Sequence, residues 1–197
     1  MLSFETQVNK VVKSCFNVIR NLSKIKFFLS QNQLQTLVSS LIFSRLDYCN
    51  SLYYGLSINL IKKLQHVQNC AARLVLKRRI PFHTSLDGIF GELHWLKIRD
   101  RIIYKVVLIV HNCLHQNAPN ELSALLRYAD SERTMKLQET RVKCRYGDRA
   151  FSHMAPKLWN LLPNYIREQH NTILFKKQLK SFLITRSDEF NRWINRR

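Results

Sequence analysis

Glycine and proline are scarce, four of each in 197 residues, so turns are few and long helices are favoured. Acidic side chains are also few, 13 against 32 lysines and arginines. A formal charge of +19 at neutral pH repels itself unless a polyanion or an acidic partner neutralises it, which makes nucleic acid the default partner. An anionic membrane surface ranks second, because basic amphipathic helices also bind phospholipid headgroups. Helices of that kind usually carry clustered surface Trp or Phe, and the sequence shows no such cluster. No apolar stretch approaches the roughly 18 residues of a bilayer span, and Met1-Leu2-Ser3-Phe4-Glu5 lacks both the basic and the apolar segment of a secretory signal. An intracellular protein, nuclear or cytoplasmic, with no transmembrane segment and no membrane partner is expected.

The usual marks of catalysis are missing as well. Cys15, Cys49, Cys70, Cys113 and Cys144 lack CxxC spacing, and three of them fall on helical core stripes, so they read as reduced packing residues. His111, Cys113 and His115 form an H-x-C-x-H cluster, but on a helix Cys113 points away from the two histidines and no CxxC or HExxH accompanies them. Tyr128-Ala129-Asp130-Ser131 is similar to the Tyr-x-Asp-Asp turn of reverse transcriptases. Two-metal phosphoryl transfer needs at least two converging carboxylates, and here the second is Ser131. Gly88 and Gly91 have neither the spacing nor the lysine of a phosphate-binding loop. No catalytic residue, metal or cofactor is therefore expected.

What is present suffices for a fold. Apolar residues make up 46% of the chain and aromatics 11%, above the content of disordered sequences and enough for one ordinary core or two small adjoining ones. Val8, Val12, Cys15, Ile19 and Leu22 recur at steps of four and three, predicting a helix over about 5–28 whose other face carries Lys10, Lys13, Arg20 and Lys24. Ser30 and Gln33 have the form of a capping box opening a second helix that continues towards Gly55. Ser57 can cap a third, with Leu60, Leu64, Val67, Ala71 and Leu74 inward and Lys62, His66, Asn69 and Arg73 opposite. It ends at Lys77-Arg78-Arg79, either a solvated helix end or a phosphate contact. A short helix and a turn follow over 82–96, then a nearly all-apolar central helix over 97–115 and a short helix after Pro119. Residues 128–147 are polar and basic, with Arg141, Lys143 and Arg145 alternating with Val142, Cys144 and Tyr146 as in an extended arm. Helical spacing returns over 150–162 and 172–184, and residues 185–197 are expected to fray.

The basic faces, the Lys77–Arg79 trio and the arm residues Arg141, Lys143, Arg145 and Arg149 are the candidate nucleic-acid-binding residues, since phosphate binding needs only cations at backbone-tracking intervals. Tyr146 and Trp159 are candidates for base stacking, although Trp159 between Leu158 and Leu161 suits a core.

Several segments carry a family likeness. They are Ile19-Arg20-Asn21-Leu22-Ser23-Lys24-Ile25, Ser44-Arg45-Leu46-Asp47-Tyr48-Cys49-Asn50-Ser51-Leu52 with Tyr54-Gly55, and Leu64-Gln65-His66-Val67-Gln68-Asn69-Cys70-Ala71-Ala72-Arg73-Leu74-Val75. Glu92-Leu93-His94-Trp95-Leu96, Tyr146-Gly147-Asp148-Arg149-Ala150-Phe151 and Ala155-Pro156-Lys157-Leu158-Trp159-Asn160-Leu161-Leu162-Pro163 continue the series. In order and spacing the chain resembles the thumb and post-thumb region of jockey-type non-LTR (LINE) retrotransposon reverse transcriptases. Lys97 stands where that family often has proline. The resemblance implies an all-α fold: a thumb-like helical domain over 1–127, a basic arm or linker over 128–147 and a small helical region over 148–197. It implies binding to RNA, DNA or an RNA–DNA hybrid, with the polymerase core of a parent element as a further partner. It implies no catalysis, since the catalytic aspartates of the palm have no counterpart here. Because members of that family often survive as truncated copies, the alternative is a decayed or co-opted protein-interaction module with neither role.

Overall fold

The computed structural model describes residues 4–78, 80–81, 84–129, 135–142 and 147–194, with side chains up to residue 185. It is mostly helical and has no strand among the described residues, so the fold is all-α. The chain forms two compact units, residues 1–101 and 102–197.

In the first unit, α1 (Glu5–Ile25) buries Val8, Cys15 and Leu22. One 3-10 turn, Lys26–Phe28, extends it. Ser30 then opens α2 (Gln31–Val38) with a complete capping box: the Gln33 N–H donates to Ser30 Oγ at 3.2 Å and the Ser30 N–H to Gln33 Oε1 at 2.8 Å. A π turn, Ser39–Phe43, joins α2 to α3 (Ser44–Asp47). The hydroxyls of Thr36, Ser40 and Ser44 each donate to the carbonyl four residues back, the back-bonding that bends helices.

Helix α3 stops at Asp47, well short of Gly55, where the backbone leaves the helical region at Tyr48 and the Asp47 carboxylate is held by groups outside the helix. It accepts Arg101 Nε at 2.8 Å, the Arg101 terminal nitrogen, and Asn50 Nδ2 at 3.1 Å. Tyr48 turns extended and Cys49 takes a left-handed conformation (φ 50°). Helix α4 (Ile58–Leu76) then buries Leu64, Val67, Ala71, Leu74 and Val75. Lys63 of α4 meets Glu5 and Asn9, His66 meets Phe16, and Lys77 just past α4 donates to the carbonyl of Leu29 just past α1. These pairs ascend together along both helices, so α1 and α4 run parallel. Helix α5 (Asp87–Glu92) and the left-handed His94 lead to Trp95, whose ring lies edge-on to Phe43 at 4.5 Å.

Helix α6 (Ile98–Leu114) begins in the first unit. The second unit holds the rest of it and α7 (Asn120–Ser123), α8 (Phe151–Asn160), α9 (Asn164–Arg167) and α10 (Thr172–Ile194). The backbone stays helical to Ile194 where fraying from residue 185 was expected; no glycine or proline follows Pro163 to stop it. The core gathers Trp159, Phe175, Leu158, Ile166, Leu179 and Leu183, all fully buried.

The segment expected to be an extended arm is docked along residues 135–140. Leu137 forms a bridge with Tyr128, is 2% exposed, and exchanges both backbone hydrogen bonds with the Asn160 amide. The Trp159 indole N–H donates to the Met135 carbonyl at 2.8 Å, and His153 Nδ1 lies 2.6 Å from the Thr140 carbonyl.

Candidate nucleic-acid interface

Phosphates are held by cations that no protein carboxylate has already neutralised. Helix α1 presents such a row. Lys10, Lys13, Arg20 and Lys24 are exposed on the side away from Val8, Cys15 and Leu22, and none of them has an ion pair or hydrogen bond through its side chain among the described residues. At about 1.5 Å rise per residue the row is about 21 Å long, the span of roughly six phosphates along one duplex strand. No acidic residue occurs between Glu5 and Asp47, so nothing on α1 beyond its first turn, or on α2, offsets this charge. That acid-free run is a sequence signal stronger than the spacing of the lysines.

The cations of α4 are less free. Lys62 is exposed, but Arg73 is half-buried and reaches the Pro81 carbonyl at 3.4 Å. Lys77 is committed to Leu29, and Arg78 pairs with Glu92 at 2.7 Å. Arg79 lies outside the described residues. Lys77 and Arg78 thus tie a helix end, with less charge to spare than the sequence suggests. Arg141 and Arg149 are exposed, while Lys143, Arg145 and Tyr146 lie outside the described residues, as do Asp130 and Ser131 of the Tyr128 motif. Asp148 lies 3.9 Å from His153. Trp159 is 0% exposed, so of the two readings open to it the core one holds and base stacking is excluded: its ring lies in the core beside Phe175.

Two groups escaped the sequence reading. Lys176, Lys177 and Lys180 are exposed on α10, opposite Phe175, Leu179 and Leu183; their interleaving with those buried positions was the available signal. Phe27 and Phe28 are 78% and 87% exposed, so a surface phenylalanine cluster does exist. The sequence hid it because it directly continues an apolar helix.

The histidine cluster is packed into the second unit. His111 Nε2 is 2.9 Å from the Gln169 carbonyl, its ring stacks on Phe175 at 4.0 Å, and His115 lies edge-on to it at 4.2 Å. No group of three or more His, Cys, Asp or Glu among the described residues is arranged to hold a metal ion. Burial lowers the pKa of both His111 and His115 below the ordinary 6.5, and each charged ring would oppose its neighbour. A histidine whose folded pKa is depressed is protonated more readily in the unfolded chain. Its contribution to stability is therefore intact above pH 6.5 and is lost as pH falls below it. Thermal unfolding of the second unit should move to lower temperature between pH 7 and pH 5. The shift should shrink in His111→Phe, which keeps the stack on Phe175 without a titrating ring.

The cysteines are packing groups where buried: burial pushes the Cys15 thiol up to about 11 and raises Cys113, and Cys15, Cys49, Cys70 and Cys113 are free. Cys144 lies outside the described residues. Among the described residues no helix is long and apolar enough to cross a membrane. Compared with protein-family models, with curated proteins and with solved structures, the chain matches none.

Proposed function

We propose that the chain is the nucleic-acid-binding, thumb-like fragment of a non-LTR retrotransposon reverse transcriptase, without the catalytic palm. The observation that carries the binding reading is the unneutralised row on α1: four exposed cations on a helix with no acid beyond its first turn. Support for the family comes from the ordered sequence segments, whose side chains here serve the fold. Asp47 and Asn50 hold the turn after α3, Gln68 Nε2 donates to the Leu96 carbonyl at 2.7 Å, and Trp95 and Trp159 are buried. Segments that fix a helical scaffold are compatible with a gripping role and supply no reacting group.

Fluorescence anisotropy with labelled duplex DNA, RNA–DNA hybrid and single-stranded RNA tests the reading at 50 and 200 mM salt. All three should bind, with log affinity falling against log salt at a slope of at least about −3 on duplex, as several neutralised phosphates require. No binding to any of them at 50 mM salt would transfer the surface to an acidic protein partner and refute the proposal. Template–primer extension with magnesium or manganese should give no incorporation.

A further inference from the structure

At the end of the α1 row the chain presents two aromatic rings to solvent. Phe27 and Phe28, 78% and 87% exposed, are the phenylalanines of greatest exposure among the described residues, and they sit side by side on the 3-10 turn Lys26–Phe28. The turn is fixed at both ends. It grows directly out of α1, and on its far side the Leu29 carbonyl accepts Lys77 while Ser30 closes the capping box of α2. Two large rings are thus held out of the core on an anchored turn, where apolar surface gains nothing from folding.

The surroundings are cationic. Lys26 Nζ lies over the Phe27 ring, 5.0 Å from its centroid, Lys24 is exposed one turn back, and Lys77 meets the turn from α4. No acid of α1 beyond its first turn or of α2 approaches in sequence. Flat π-faces beside a row of phosphate-binding charges are what a strand with unpaired bases requires: the backbone follows the cations and each base lays its face on a ring. A paired base inside a duplex has no free face to offer. A membrane surface would need a continuous apolar helix face, and the α1 face that has one, Val8, Cys15 and Leu22, is buried.

We infer that Phe27 and Phe28 form a stacking platform for unpaired bases of a single-stranded nucleic acid whose backbone runs along Lys10, Lys13, Arg20 and Lys24. This rests on the nucleic-acid-binding reading and adds the strand type and the residues that read it.

The test uses the full chain and its Phe27→Ala/Phe28→Ala variant with three probes: a single-stranded oligonucleotide carrying 2-aminopurine, the same backbone made abasic, and a blunt duplex. The wild type should prefer the base-bearing strand over the abasic one and quench 2-aminopurine. The variant should lose about 10- to 100-fold in affinity for the base-bearing strand, within the range expected for stacking of one or two bases. It should lose the quenching yet keep wild-type affinity and salt slope on the abasic strand and duplex. Equal affinity of both proteins for every probe, without quenching, would overturn the platform while leaving the phosphate-binding reading intact. Absence of binding to all three probes would remove both. Vesicles of phosphatidylcholine with phosphatidylserine provide the last arm: tight vesicle binding abolished in the variant, with oligonucleotide binding unchanged, would assign the rings to a membrane and refute the inference. Circular dichroism should be identical for both proteins, and Phe27→Trp/Phe28→Trp should restore binding.

Discussion

Replacing Lys10, Lys13, Arg20 and Lys24 together by alanine should flatten the dependence of log affinity on log salt by about 3 to 4 units on duplex DNA, since each phosphate left unneutralised takes about 0.9 from the slope. Between 50 and 200 mM salt the wild type should therefore lose on the order of 100-fold more affinity than the variant. The four side chains are exposed and make no ion pair among the described residues, so their removal breaks nothing that holds α1 to α4. Exposed substitutions of this kind change stability by about 0.5 kcal/mol or less, and alanine favours helix. Affinity and slope should fall while the unfolding transition stays in place. A variant that kept the wild-type slope would sink the assignment of α1. Replacing Lys176, Lys177 and Lys180 supplies the contrast: a flattened slope there alone would move the interface to α10 of the second unit.

The helices were legible because local rules governed them. The stripe of α1, the Ser30 and Gln33 box and the apolar run of α6 are read from residues within a few turns of one another, and the structure reproduces them. The expectations that failed depended on partners distant in sequence. Nothing near Asp47 announces that Arg101 will bind it beside the end of α3. Likewise nothing within residues 135–140 announces that Trp159 and Asn160 will claim the backbone groups of Met135 and Leu137. The candidate site divides along the same line. The cations of α1 keep the freedom their spacing suggests, whereas Lys77, Arg78 and Arg73 are drawn to Leu29, Glu92 and Pro81, pairings that no periodicity contains. Phe27 and Phe28 were missed for the opposite reason: an apolar pair next to a helix is ordinarily core, and only the folded chain shows two rings left outside it.

Trp159→Ala should damage stability severely, at about 3 to 5 kcal/mol, the usual cost of deleting a buried aromatic side chain. The ring is fully buried, lies 6.0 Å from Phe175 and stacks with it, and donates its N–H to the Met135 carbonyl at 2.8 Å. Alanine leaves a cavity and removes one of the donors that pin residues 135–140 to α8, the Asn160 amide and His153 remaining. A loss of that size is a large part of the roughly 5 to 15 kcal/mol by which a typical domain is stable. It should appear in urea unfolding followed by far-UV circular dichroism, in the transition of the second unit. Trp159→Phe separates the two effects. It refills most of the cavity but leaves the Met135 carbonyl without its donor, a penalty of about 1 to 3 kcal/mol. A Trp that stacked on bases would behave in reverse, with little effect on unfolding and a large one on base-dependent binding. Because Trp159 reaches no solvent, Trp159→Phe should bind base-bearing and abasic strands as the wild type does. Near-native stability of Trp159→Ala combined with lost discrimination between those strands would return Trp159 to the interface and displace Phe27 and Phe28 from it.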